Sequence, residues 1–146
     1  MADGAALRLI AEDAEDLRVI SASLQDSVLK AENMRYDPRR RRFSLELNRY
    51  RWEVTGEQSR IRAILAIDGV LGVRRRAVTV ADPDLVYSLL SLSFVPDAEP
   101  PGGKVSLLFA GDGEVELIVE SIDATLLDSD YEWSTRRRPD HEKRRR

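Results

Sequence analysis

The chain has 146 residues, 34 % of them charged and 42 % hydrophobic, with a formal charge of −3: the composition of one folded domain rather than a disordered chain. It has no cysteine and one histidine, His141, the sixth residue counting back from the C-terminus. That excludes disulfides, thiol chemistry and cysteine-based zinc sites, and a single imidazole in a terminal tail is poorly placed for a triad or a histidine metal site.

The longest apolar run, "LVYSLLSLSFV" (85–95), is broken by serines and is about half the roughly 18–20 residues that a membrane-spanning helix needs. The start, "MADGAALRLIAEDAED", is acidic and lacks the basic and apolar segments of a secretory signal, so a cytoplasmic protein is expected. Residues 134–146 carry seven basic and two acidic groups, a net +5, which leaves the first 133 residues at −8. Twenty of the 23 basic residues are arginine. The expected organisation is one α+β domain over 1–133 and a flexible basic tail over 134–146.

Leu7 to Ile10 reads as a short edge strand. In "DAEDLRVISASLQDSVL", Leu17, Ile20, Leu24 and Val28 form one helical stripe, Asp13 is a good N-cap, and Glu15 and Asp16 suit the helix dipole. A helix is expected from Ala14 to Asp26, with the residues after it open to a strand reading. Asp37-Pro38 opens a turn. Phe43, Leu45 and Leu47 then alternate, whereas Tyr50 and Trp52 fall on the opposite phase. Either a bend near Asn48–Arg49 switches the faces, or the aromatics lie on the outer face under the helix.

Ile61, Ala63, Leu65 and Ile67 alternate up to Asp68-Gly69, a hairpin signal, and Val70, Leu71 and Val73 return. Leu85 to Val95 is apolar on both faces and reads as a central strand; Pro96 to Gly103 reads as a loop. Val105, Leu107 and Phe109 alternate into "AGDGE", and Val115, Leu117 and Val119 alternate back. Ile122, Ala124 and Leu126 continue on the other phase, which suggests a bulge. The sum is one N-terminal helix packed on a strongly bent, mostly antiparallel sheet or partial barrel of about seven strands. A pleckstrin-homology-like superbarrel is compatible with the bent strands, although the early helix weighs against it.

The stretches "SLQDSVL", "RYDPRRRRFSLELNRYRWE" and "PPGGKVSLLFAGDGEVELIVESIDATLLD" resemble an alphaproteobacterial family known only as a domain of unknown function, the 2948 type. The resemblance covers roughly Leu7 to Asp140. It implies a bacterial, cytoplasmic, single-domain protein and brings no activity, cofactor or site with it.

Two internal clusters, Arg39, Arg40, Arg41 and Arg42, then Arg74, Arg75 and Arg76, together with tail residues Arg136, Arg137 and Arg138, are the candidate anion or nucleic-acid contacts. Arg49, Arg51, Arg60 and Arg62 could extend such a patch. The competing reading of each run is a solvated turn or strand end in an arginine-rich chain, and the acidic body would repel phosphates. Tyr50, Trp52, Tyr131 and Trp133 are the candidate partner surface. Glu114, Glu116 and Glu120 alternate along a strand and read as its solvent face; Asp128 and Asp130 read as a turn-like exit. "GDG" and "PPGG" match no phosphate-binding fingerprint, and no G-x-S-x-G elbow occurs. No catalytic residue, cofactor or metal ligand is singled out.

Three functions remain open. The favoured one is a non-catalytic binding module for a protein partner or for itself. The second is an RNA- or DNA-binding accessory protein that uses the arginine clusters and tail. The third is an enzyme with carboxylate or arginine chemistry in the mouth of the bent sheet.

Overall fold

The computed structural model describes residues 6–53, 60–79 and 81–129. One helix, α1 (Ala14–Leu24), follows the first strand, β1 (Arg8–Ala11). Its start is as the sequence predicts: the Asp13 carboxylate accepts the Asp16 N–H at 2.8 Å, and Leu17, Ile20 and Leu24 are buried. Its end comes earlier than expected. Asp26 takes a positive φ of 66° and its N–H donates to the Leu89 carbonyl, so the chain leaves the helix and Val28 falls in a strand.

Nine further strands follow: β2 (Ser27–Lys30), β3 (Met34–Asp37), β4 (Arg42–Tyr50), β5 (Arg60–Asp68), β6 (Val70–Arg76), β7 (Val86–Pro96), β8 (Gly103–Phe109), β9 (Glu114–Val119) and β10 (Ala124–Asp128). All pairings are antiparallel, in the order β1-β10-β5-β4-β2-β7-β8-β9-β6, with β3 on β4. The α+β class holds, but the described residues form ten strands rather than about seven. Strands β1, β2 and β3 have four residues each, too few for alternation to stand out.

The sheet has two halves, β1-β10-β5-β4-β3 and β2-β7-β8-β9-β6, joined where Val28 of β2 meets Asn48 of β4. Three sequence expectations fail at the passages between them. Asp68-Gly69 is not a hairpin: β5 and β6 are not neighbours, and the chain turns a corner from one half into the other. Gly69 supplies the positive φ of 72° that the corner requires. The Tyr36 hydroxyl donates to the Val70 carbonyl and the Val70 N–H donates to the Arg41 carbonyl, which pins the corner to the β3–β4 turn. The phase change after Val119 is likewise no bulge, because β9 and β10 lie in opposite halves. Finally, of the two accounts of β4, the switch of faces at Asn48–Arg49 fails, whereas Tyr50 and Trp52 do lie on the outer face, though not under the helix. β4 pairs residue for residue with β5 from Arg42↔Asp68 to Tyr50↔Arg60.

Alternate residues of both halves point inward and share one core with the helix. It includes Phe43, Leu45 and Leu47 of β4, Leu65 and Ile67 of β5, Leu107 and Phe109 of β8, and Leu126 of β10. β7 is central, as expected, between β2 and β8. Only its first part has β2 alongside. Beyond that, α1 packs against it, and the Leu92 N–H donates to Ser21 Oγ at 2.9 Å. The helix therefore closes the inner side of the sheet at the gap between β7 and β1 rather than covering an outer face. The β7–β8 loop and the β8–β9 hairpin lie where the sequence places them.

Candidate functional site: arginines outside and inside the sheet

The run Arg39–Arg42 is the β3–β4 turn. Asp37 organises it by accepting the N–H groups of Arg39 and Arg40. Arg41 takes a positive φ of 54° and pairs with Glu120; Arg42 Nε donates to Asp68 at 2.7 Å, which raises the Arg42 pKa above its ordinary value. A groove of about 520 Å³ runs beside the turn, lined by Arg35, Tyr36, Asp37, Arg40, Arg42 and Ser44.

Arg74, Arg75 and Arg76 lie at the far end of β6, against β9. Arg74 is 3.9 Å from Glu116, and Arg76 Nη2 is 2.8 Å from Glu114. The Ser106 hydroxyl and then Arg76 hold the Glu114 carboxyl below its usual range. The two clusters do not form one patch. Arg41 bonds to Val70 at the start of β6, and Arg74–Arg76 stand four to six residues further on, about 13–20 Å along the strand. Each cluster meets its own carboxylates first. The outward carboxylates Glu114 and Glu116 of β9, together with Glu120 just beyond it, serve as those partners.

The proposed extensions of the patch divide. Arg62 pairs with Glu46, and Arg60 donates to the Asp26 and Asn48 carbonyls and lies over the Tyr50 ring. Arg49 and Arg51 are instead inside. They keep the phase of Phe43, Leu45 and Leu47, so the chain continues inward with two guanidinium groups while Tyr50 and Trp52 face out. Tyr50 is half-buried and packs edge-on against Trp52. Trp52 is 48 % exposed, and its Nε1–H donates to the Gln25 carbonyl just past the helix.

Arg49 is fully buried and is bound on every side. Its Nε and Nη2 donate to the two Asp128 oxygens at 2.8 and 2.9 Å, and its Nη1 and Nη2 donate to Glu53 at 3.0 and 2.7 Å. Asp128 also accepts the Leu7 N–H, which ties the residue just before β1 to β10. Burial works against the charge on Arg49, but Asp128 and Glu53 outweigh it and raise its pKa. Burial likewise favours a neutral Glu53, and the hydrogen bond from Arg49 overcomes this and holds the carboxyl below its usual range.

Sequence reasoning missed Asp128. The available signal was its phase, shared with the buried Ala124 and Leu126. Tyr131, Trp133, Arg136, Arg137, Arg138, His141 and the whole 134–146 tail lie outside the described residues. Among the described residues, no group of three or more His, Asp or Glu side chains is placed to hold a metal, and no helix is long and apolar enough to cross a membrane.

Among the described residues, no helix lies over the outer face of the β1-β10-β5-β4 half. One row across it reads Arg8, Leu127, Ile64, Glu46; the next reads Ile10, Thr125, Ala66, Ser44. Ile10 and Ile64 are 46 % and 38 % exposed. The face is small and apolar at its centre, with the Arg8 cation on the β1 side and, on the β4 side, the Glu46 carboxylate, which Arg62 of β5 already meets at 3.1 Å.

No curated protein and no solved structure matches the chain. The model of a family described as "Protein of unknown function (DUF2948)" matches residues 7–141, from the residue whose N–H Asp128 holds through every strand of the sheet, and the chain belongs to that family.

Proposed function

We propose that the protein is a non-catalytic cytoplasmic binding module, and that the surface it uses is the outer face of β1-β10-β5-β4, uncovered among the described residues, with a second copy of the chain as its partner. The observation that supports this is the charge order of the row Arg8, Leu127, Ile64, Glu46. Two such faces related by a two-fold axis parallel to the strands, between β5 and β10, set Ile64 against the second copy's Leu127 and Glu46 against its Arg8. This is an isologous contact in which one surface complements itself. Packed sheets stand about 10 Å apart and tolerate the twist between them.

Four strands and three rows give a face on the order of 400 Å². That is below the roughly 800 Å² per partner of a stable complex. The dimer is therefore weak and depends on concentration. Nucleic-acid binding through the arginine runs draws less support, because carboxylates already face Arg41, Arg42, Arg74 and Arg76. A pleckstrin-homology-like fold adds nothing to the reading, since fold alone does not carry function.

Light scattering across a concentration series tests the proposal. The wild type should move from monomer to dimer as concentration rises. Arg8→Glu and Glu46→Arg should each shift the chain to monomer, and the double charge swap should recover the dimer. Within one copy, Arg8 and Glu46 are separated by β10 and β5, so the recovery reports contact between copies. A wild type that stays monomeric at millimolar concentration, or a double swap no better than the single changes, overturns it.

A further inference from the structure

We infer that the Nε and Nη2 edge of Arg51 is a binding site for the carboxylate group of a small ligand, inside the end of the sheet where β4 leaves its ladder. Arg51 is 4 % exposed, yet neither its Nε nor its Nη2 has a hydrogen-bond partner among the described residues. Arg49 shows what this edge does when satisfied: its own Nε and Nη2 hold the two Asp128 oxygens side-on. Arg51 follows two residues later on the same inward phase, about 7 Å along the chain, and presents the same two-pronged donor with no partner among the described residues. Buried donors on a cation are costly to leave unmade, so the empty fork calls for an acceptor.

Ser27 strengthens the assignment. Its hydroxyl is fully buried and also lacks a partner. The Val28↔Asn48 pairing brings β2 beside the stretch of β4 that leads into Arg51. By that antiparallel register Ser27 stands opposite Arg49, two residues before Arg51, so a second unmet polar group lies on the neighbouring strand near the same end of the core.

Charge selects the ligand class. Arg49 and Arg51 balance Asp128 and Glu53, so the cluster has no net charge before anything binds. A carboxylate adds a single negative charge there, whereas a phosphate dianion adds two beside two existing carboxylates. The Glu53 side chain is 21 % exposed and places the rim of the cluster next to solvent.

The test uses the full chain, with acetate as the probe, inorganic phosphate as the rival anion, and chloride at matched ionic strength as the control. Melting temperature and the Arg51 Nε–H resonance are both followed. Acetate should raise the melting point by at least about 2 °C at saturation and move that resonance, with a smaller effect from phosphate and none from chloride. Arg51→Met keeps the volume, removes the fork, and should abolish the acetate response. If that variant does not fold, the resonance in the wild type still decides. A response shared equally by chloride and acetate, one led by phosphate, one retained in Arg51→Met, or none at all overturns the assignment.

Discussion

Arg41 and Arg49 are eight residues apart on one hairpin arm, and their surroundings differ. Arg41, in the β3–β4 turn, meets Glu120 with both side chains about half exposed. Arg49 meets Asp128 with both side chains fully buried. An exposed pair gains little from its attraction, because water screens it and two long side chains must be held still. A buried pair has given up its hydration, so removing one partner leaves the other charge stranded. The conspicuous runs of arginine are thus the energetically quiet ones, and the two isolated arginines in "NRYRW" carry the larger consequence.

Asp128→Ala should open the widest gap between the two regions. It leaves Arg49 with Glu53 as its one remaining carboxylate, unpairs its buried Nε and frees the Leu7 N–H, and should cost about 3 kcal/mol in urea unfolding. Replacing both Arg49 and Asp128 by Met and Leu should recover much of that loss, since an apolar pair of similar volume avoids the desolvation cost.

Glu53→Gln comes next, at about 1–2 kcal/mol near neutral pH. Its sign with pH follows from the lowered pKa. Glu53 has an unfolded value of about 4.3, and the folded value lies below it. The stabilisation is complete above the unfolded value and disappears as pH falls through the folded one. Wild type and variant should differ at pH 7 and converge in acid; a gap that stays constant down to pH 2 would remove Glu53 from the account. The smallest effect belongs outside. Asp68→Asn, which weakens the Arg42 pair, should change stability by about 0.5 kcal/mol or less, and less still in high salt.

How far the sequence reveals this arrangement depends on whether the signal is local. The Asp13 cap, the Leu17, Ile20 and Leu24 stripe and the β8–β9 hairpin are set by neighbours within a few residues, and all three were legible. The corner at Gly69 was not, because a turn into a hairpin and a turn into the opposite half use the same residues. The passage from Val119 to Ala124 resembled a bulge for a related reason: a flip of phase records which face is buried, not which sheet the strand joins.

The inward arginines were hidden by the ordinary assumption that apolar residues mark the core. Tyr50 and Trp52 outbid Arg49 and Arg51 on that scale. Yet the odd-numbered phase of Phe43, Leu45 and Leu47 runs unbroken through Arg49. What lets it do so is Asp128, 79 residues away in sequence and two strands away in the sheet. No single-segment pattern contains that partner.

A double-mutant cycle on Arg49 and Asp128 tests the central claim most directly. Arg49→Met, Asp128→Leu and the pair are unfolded in urea at pH 7, and the coupling is read from how far the double variant departs from the sum. A buried pair predicts a coupling of about 2–3 kcal/mol, with the double variant more stable than Asp128→Leu alone. Additive single losses would mean that the two side chains do not meet in the interior, and would contradict the account.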